Sequence, residues 1–116
     1  MKMANVVIQI NKSGTDYDRR IIRNIMNLKN QLGDDLIQCE VVVFGEGMDL
    51  LLTQDKMIKE QIDALVESGI EFVACSNTLS KHNVTQEELI CSVGSAGSGV
   101  AHLVTRQTEG WAYLAL

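Results

Sequence analysis

Short apolar runs alternate with longer amphipathic stretches along this chain, and that alternation limits the fold more than any other feature. Residues 4–10, 37–44 and 70–75 are short and rich in β-branched or apolar side chains, as buried strands are. Residues 16–32 and 55–68 carry apolar side chains at helical spacing. Strands that alternate with helices in this way predict a parallel sheet with right-handed crossovers.

The remaining third of the chain continues the alternation in shorter elements. We expect a helical turn over 77–82, a short helix that begins at the capping box of Thr85 and Glu88, a fourth strand over 90–95, a helix after Gly97-Ser98-Gly99 and a fifth strand over 111–116. The sequence therefore predicts a three-layer α/β/α sandwich with a five-stranded parallel sheet. A chain of 116 residues fits a single domain, over 1–116.

The charge balance disfavours two classes of partner. The chain has 15 acidic and 10 basic residues, a net charge of −5, which repels nucleic acid and anionic membranes. The basic group Arg19, Arg20, Arg23 and Lys29 has helical spacing and indicates a solvated helix face. The chain start leads directly into the first strand, without an apolar run of signal-peptide or membrane-span length. We therefore expect a cytoplasmic protein.

The chain contains three cysteines that are far apart in sequence, which favours reduced thiols over a disulfide framework. Cys39 lies inside the second predicted strand and Cys91 at the start of the fourth, so both are expected to be small apolar residues that are in the core or half-exposed. The spacing, without nearby histidines, does not fit zinc, and we predict no metal site. No cofactor is predicted either.

Cys75 differs from the other two because it ends a strand where a helix is expected to begin. Ligands of parallel sheets bind at the carboxyl ends of the strands, and a helix N-terminus lowers the pKa of a thiol. Cys75 is thus a candidate nucleophile, although an inert packed cysteine is the alternative. Asn77 and Thr78 either cap the following helix or hold a bound sulfur species or small anion next to the thiol. His82 is either a base for the thiol or an exposed loop residue.

Other strand ends are expected at the same edge of the sheet, where they would line one shallow pocket. The predicted ligand-binding residues are Asn11, Gly45, Glu46, Gly47, Ser76, Asn77, Thr78, Ser95 and Gly97. The glycine-rich run 94–99 precedes a helix, as phosphate loops do, but it lacks the lysine of a P-loop. The alternative for this run is a tight turn that requires positive φ.

The segment Leu50-Leu51-Leu52 is apolar on all sides. Exposed apolar patches on soluble proteins usually mark interfaces, so a subunit contact is one way to bury it. The alternative is a segment that folds over the core of its own chain.

Four stretches of the chain have a distinctive order and spacing: Val6-Val7-Ile8, Phe44-Gly45-Glu46-Gly47 with Leu50-Leu51-Leu52, Gly69-Ile70 through Leu79, and Gly99-Val100 with Leu103 through Tyr113. As an ordered set they resemble the DsrE/DsrF-like family of small α/β proteins. The resemblance covers essentially the whole chain. It implies a Rossmann-like, DsrEFH-like sandwich that assembles as a homotrimer or homohexamer. In the sulfur-relay members a cysteine after the third strand carries a persulfide, and only Cys75 matches it.

The leading hypothesis is a DsrE-like sulfur carrier, sulfurtransferase-like, in which Cys75 binds or transfers sulfur as a persulfide. Its partners would be a donor or acceptor protein or a small thiol. The residues after Cys75 are similar to an uncharacterised single-chain branch of the family, whereas small and basic residues follow the cysteine of relay subunits. Two alternatives stay open: a non-catalytic oligomeric module that binds a small anion or nucleotide, and a purely structural oligomer.

Overall fold

The computed structural model describes residues 3–116 and contains five strands and four α-helices. The strands are β1 (Ala4–Ile10), β2 (Leu36–Val43), β3 (Glu71–Cys75), β4 (Gly94–Ala96) and β5 (Ala112–Ala115). The α-helices are α1 (Thr15–Leu32), α2 (Lys56–Glu67), α3 (Ser76–Lys81) and α4 (Gly99–Thr108). Short 3-10 helices cover Gly33–Asp35, Gly45–Leu52 and Gln86–Glu88.

The five strands form one sheet in the order β4-β3-β2-β1-β5, and every neighbouring pair is parallel. The predicted α/β fold with a five-stranded parallel sheet is therefore confirmed. In the register of the sheet, Ala74 pairs with Val43, and Cys75 pairs with Ala96. The carboxyl ends of β2, β3 and β4 consequently meet at one edge, together with the end of β1.

Helices cover both faces of the sheet, but unequally. On one face α1 and α2 bury a large apolar core that includes Ile21, Ile25 and Ile62. On the other face α4 packs Leu103 against Val7, Val42 and Val73, with Trp111 beside it. Each buried aliphatic side chain of this kind stabilises the fold by about 1.5–3 kcal/mol relative to exposure. Because the second core is small, polar contacts matter more for the placement of α4.

The region between α3 and β4 differs from the prediction. The predicted strand over 90–95 is wrong at its start, because the N–H of Ile90 donates to the carbonyl of Leu51 and not to the sheet. The strand is reduced to Gly94–Ala96. The capping box does not form either, because Thr85 makes no side-chain cap hydrogen bond and only three residues of 3-10 helix follow it.

The apolar segment Leu50-Leu51-Leu52 is covered by its own chain. Leu50 and Leu51 have no exposed surface, and Leu52 packs against the same core. Leu89 and Ile90, from the loop before β4, join that cluster. The subunit contact that the sequence suggested for this segment is therefore wrong, and the alternative of a segment folded over the core is correct.

Candidate functional site

Cys75 is the last residue of β3 and the residue that immediately precedes α3. Its backbone is extended, with φ −73° and ψ 116°, and the helix starts at Ser76. The first N–H groups of a helix have no partner within the helix, so an acceptor at this position is favourable. Cys75 is the residue at that position and is 5% exposed, although its side chain makes no cap hydrogen bond to α3.

Donors from two elements converge on the Cys75 sulfur. The N–H of Gly99, at the start of α4, donates to Sγ at 3.4 Å. The neutral thiol can donate to the carbonyl oxygen of Gly97, 3.9 Å from Sγ. The Thr78 hydroxyl and the backbone N–H groups of Thr78 and Asn77, at the start of α3, also lower the pKa of the thiol. The sulfur thus lies among N–H and O–H donors, which stabilise a thiolate.

These donors determine the acidity of Cys75. Burial raises the pKa of its thiol, but the hydrogen bonds from Thr78, Gly99 and Asn77 outweigh burial, so the pKa is lower than its ordinary value. The other cysteines behave in the opposite way. Burial raises the pKa of Cys39 to about 11 and that of Cys91 to about 11. Cys75 alone among the three has an environment that favours the thiolate.

Thr78 joins the end of β2 to the thiol. Its Oγ1 accepts a hydrogen bond from the N–H of Gly45 at 3.1 Å and donates to the Cys75 sulfur. Gly45 has φ +57°, a conformation that glycine adopts without strain. The prediction that the Asn77 and Thr78 side chains cap the next helix is wrong. Cys75 occupies the capping position, and no side chain makes an oxygen cap there.

The structure brings most of the predicted ligand-binding residues near Cys75. Ser76 and Ser95 form a hydroxyl pair at 2.9 Å, and the N–H of Asn77 donates to the Gly97 carbonyl at 3.3 Å. A Cβ atom at Gly97 would meet nothing within 4 Å, so the space at that position is open. Gly45 adjoins the Asn11 carbonyl, towards the end of β1.

Gly47 and Glu46, two of the predicted ligand-binding residues, do not belong to the hydrogen-bond network of the thiol. Gly47 is buried, and a Cβ atom there would lie 2.5 Å from the carbonyl oxygen of Ile10, so the glycine permits close packing of backbones. Glu46 is exposed, and no hydrogen bond connects it to the thiol. The donors to the Cys75 sulfur therefore come from α3 and α4, not from these two residues.

The glycine-rich run 94–99 is not a turn with positive φ, so that interpretation is wrong. Two of its glycines instead allow close packing, because a side chain at either position would crowd a neighbouring residue. A Cβ atom on Gly99 would stand 3.0 Å from the Phe44 ring, and one on Gly94 would stand 2.9 Å from Glu71 Oε1. Ser98 caps α4 by accepting the N–H of Ala101 at 3.1 Å. Gly99 thereby brings the start of α4 close to both Phe44 and the thiol.

His82 follows the last residue of α3 and is exposed. It therefore lies at the end of α3 opposite Cys75, and the interpretation as an exposed residue is correct.

A buried charge cluster lies under α4. The Glu40 carboxylate accepts hydrogen bonds from Arg106 Nε at 2.9 Å and from Arg106 Nη2 at 2.8 Å. Glu40 Oε1 also lies 2.8 Å from His102 Nε2. Burial raises the pKa of Glu40, but the hydrogen bonds from Arg106 and His102 outweigh burial and lower the pKa. The Arg106 guanidinium also stacks 4.5 Å from the Trp111 ring.

This cluster was not predicted, although the sequence carries two signals for it. Glu40 is the one carboxylate within the otherwise apolar run 39–44. His102 and Arg106 are four residues apart, so they share a face of α4. A buried carboxylate in a strand and two basic groups on one helix face form a complementary set.

Three cavities in the molecule lie away from Cys75. One of about 690 Å³ runs between the second half of α1 and β5. Two others, of about 400 Å³ and 170 Å³, adjoin residues 86–93 and the space between α1 and α2. Within residues 3–116, no group of three His, Cys, Asp or Glu side chains is arranged to hold a metal ion. Over the same residues, no helix has the length and apolar character needed to cross a membrane.

Solved structures of three proteins share this fold. The protein of unknown function MTH1491 from Methanobacterium thermoautotrophicum is 34% identical, with a TM-score of 0.87 over 97% of this chain and 99% of that chain. BT1422 from Bacteroides thetaiotaomicron, a conserved protein of unknown function, is 18% identical, with a TM-score of 0.73 over 97% and 94%. The ychN protein from E. coli is 16% identical, with a TM-score of 0.72 over 100% of both chains. At 18% and 16% identity, the last two matches show a shared fold and carry no information about function.

No curated protein matches the chain significantly. The model of the DsrE/DsrF-like family matches residues 3–116, which is nearly the whole sequence. The resemblance seen in the sequence is thus confirmed, and the chain belongs to the DsrE/DsrF-like family.

Proposed function

We propose that this protein carries sulfane sulfur as a persulfide on Cys75 and transfers it to an acceptor. The observation that carries the proposal is the setting of the sulfur, where the hydrogen bond from Gly99 of α4 and the polar groups of Thr78 and Asn77 in α3 favour the thiolate. The thiolate is the nucleophilic form of cysteine. Membership of a family that includes sulfur-relay subunits supports the same function.

The proposed loading step is a thiolate exchange on sulfur. The Cys75 thiolate attacks the outer sulfur of a donor persulfide, R–S–SH. The new S–S bond forms at Cys75, the S–S bond of the donor breaks, and R–S⁻ leaves with the electron pair. No separate oxidant or reductant is consumed. Unloading is the same reaction with an acceptor thiolate as the nucleophile, and a Cys75 thiolate of low pKa is the favoured leaving group.

The approach to Cys75 favours a small group over a bulky one. The residue is only 5% exposed, while the space beside Gly97 is open. We propose that the outer sulfur occupies that space, near the paired hydroxyls of Ser76 and Ser95. The donor and acceptor in this proposal are a small thiol or a protein that presents a thiol on a narrow segment.

We also propose that the protein works in the cytoplasm as a homotrimer or homohexamer, as the family resemblance implies. The exposure of β5 supports this proposal. Each residue of β5 is exposed, and Tyr113 and Leu114 expose 40% and 37% of their surface at the edge of the sheet. The groove between α1 and β5 adds apolar surface from Leu28, Leu32 and Leu116. An exposed edge strand of this kind favours pairing or burial.

Mass spectrometry of the intact protein tests the site. The parent, Cys75→Ser and Cys91→Ser are each incubated with inorganic polysulfide, and the added mass is measured before and after treatment with a reductant. We expect the parent and Cys91→Ser to gain one sulfur atom that the reductant removes, and Cys75→Ser to gain none. If Cys75→Ser gains sulfur as readily as the parent, the proposal is wrong. A ligand that copurifies and is retained by Cys75→Ala would instead favour the binding module.

A further inference from the structure

One hydrogen bond to the Cys75 sulfur comes from α4, a helix that buries few apolar side chains. Gly99, whose N–H donates to Sγ at 3.4 Å, is the first residue of α4. Within α4, only Gly99 and Leu103 are buried, while Val100 and Val104 each expose 58% of their surface. The apolar core alone therefore constrains the position of α4 weakly.

The charge cluster supplies the missing constraint. Glu40 projects from β2 with its side chain 7% exposed, and Arg106 grips its two oxygens at 2.9 and 2.8 Å. His102, one turn earlier on the same helix, contacts Glu40 Oε1 at 2.8 Å. Two-pronged contacts between Arg and a carboxylate fix orientation as well as distance. Together the two contacts fix both the rotation of α4 and its position along the sheet.

The same helix position sets the distance from Gly99 to the thiol. Phe44 contacts Gly99 so closely that a Cβ atom there would stand 3.0 Å from the ring, so α4 cannot move towards Phe44. The salt bridge prevents movement away from β2. The N–H of Gly99 is thus held at the sulfur from both sides.

We propose that Glu40 is a positioning residue for Cys75: through Arg106 and His102 it fixes α4 so that the N–H of Gly99 stays on the sulfur. Glu40 itself does not touch the sulfur or any reacting atom. This inference deepens the proposed function. It rests on that function for the reaction in which the thiolate takes part.

The direction of the change in the Cys75 pKa in one variant distinguishes positioning from a direct charge effect. Glu40→Gln removes a negative charge, and through space that change alone would stabilise the Cys75 thiolate and lower the thiol pKa. Loss of positioning acts in the opposite direction, because the thiolate loses a hydrogen bond. A rise in the thiol pKa in Glu40→Gln is therefore explained by positioning and not by charge.

The test measures the rate of Cys75 alkylation by iodoacetamide against pH, in a Cys39→Ala, Cys91→Ala background and without a sulfur donor. We expect the midpoint of the profile to move to higher pH in Glu40→Gln and the rate at pH 7 to fall about three- to tenfold, as the loss of one hydrogen bond implies. Arg106→Lys keeps the charge but loses the two-pronged contact, and it should shift the profile in the same direction.

Glu71→Gln is the matched control. Glu71 is the register partner of Glu40 on β3, so its variant removes an equal charge from the same face of the sheet without touching α4. We expect its midpoint to stay unchanged or to fall slightly. Circular dichroism and thermal melting establish that each variant is folded.

Glu40→Gln with an unchanged or lower midpoint would overturn the proposal. If Glu40→Gln does not fold, Arg106→Lys decides, and an unchanged midpoint there also overturns it. Because no sulfur donor is present, the result is independent of whether Cys75 carries a persulfide. The polysulfide experiment can fail while this one succeeds, and the reverse is equally possible.

Discussion

At the scale of single residues, Thr78 connects the backbone of one strand end to the thiol of the next. Its hydroxyl accepts from the N–H of Gly45 and donates to the Cys75 sulfur. The contact with Gly45 uses one lone pair of the oxygen and leaves the hydroxyl hydrogen available for the sulfur. Thr78 thus acts as a donor, although its sequence position suggested a helix cap.

Thr78→Val tests that donor with almost no change of side-chain shape. The thiolate loses a hydrogen bond, so we expect the pKa of Cys75 to rise and the alkylation rate at pH 7 to fall about three- to tenfold. The pH dependence of alkylation measures this rise. Thr108→Val is the control, since its hydroxyl bonds only to the Val104 carbonyl within α4. Equal alkylation profiles for Thr78→Val and the parent would show that the hydroxyl does not stabilise the thiolate.

At the scale of secondary-structure elements, β2 combines an apolar core strand with two titratable groups. Cys39 faces the large core and is 4% exposed, while Glu40 faces α4. Successive residues of a strand point to opposite faces, so one element serves both layers. The thiol that faces the core is kept neutral, and the carboxylate that faces α4 is kept ionised.

The neutral state of Cys39 predicts a loss of stability at alkaline pH. Burial raises the pKa of its thiol from 9.0 to about 11 in the folded protein. Between these values the unfolded chain releases the proton and the folded chain retains it, so stability falls as the pH rises. The contribution of Cys39 is at most about 1.4 kcal/mol per pH unit.

Urea unfolding between pH 8 and 11 measures this effect. We expect the free energy of unfolding of the parent to decline with pH more steeply than that of Cys39→Ala. Cys91→Ala should reduce the decline by a similar amount, because burial raises the pKa of Cys91 to about 11 as well. A Cys39→Ala variant with the same slope as the parent would contradict the assignment.

The elements show which parts of the fold were predictable from sequence. The helices α1 and α2 were, because their apolar stripes bury directly against the sheet, and so were β1, β2 and β3. The strand β4 was not, because the apolar residues before it, Leu89 and Ile90, bury against the 3-10 helix Gly45–Leu52 and not within the sheet. Periodicity indicates that a residue is buried, but not which element covers it.

The candidate site was predictable to a similar extent. The position of Cys75 at a strand end followed from the sequence, and so did its meeting with the other strand ends. The partners of the sulfur did not, because Gly99 and Thr78 act through a backbone N–H and a hydroxyl whose directions depend on tertiary packing. The role of Glu40 was missed for the same reason, since its partners lie more than 60 residues away.

At the scale of the whole molecule, the two sides of the sheet differ in how much they bury. The side of α1 and α2 is thick, whereas α4 alone covers the other side, and β5 ends the sheet as an exposed edge. A protein with an exposed apolar edge strand tends to associate unless a charge or a proline interrupts the edge, and β5 contains neither. The expected oligomer is therefore most sensitive to changes at this edge.

Leu114→Glu tests the edge by placing a charge on β5. We expect light scattering after size exclusion to give a trimer or hexamer for the parent and a smaller mass for Leu114→Glu. Met57→Glu is the control, because Met57 is 57% exposed on α2, away from the edge. A parent that is monomeric at every concentration would refute the oligomer, and an unchanged mass for Leu114→Glu would move the interface elsewhere.

The hydrogen bond from Gly99 to the Cys75 sulfur has a consequence in the reverse direction. A contact that lets a helix stabilise a thiolate also lets the thiolate stabilise the helix, by the same free energy. Replacing the proton on sulfur with another group changes the acceptor that the first turn of α4 contacts. The chemical state of Cys75 and the position of that turn are therefore thermodynamically linked. A modification of the sulfur is expected to change the position that the first turn of α4 prefers.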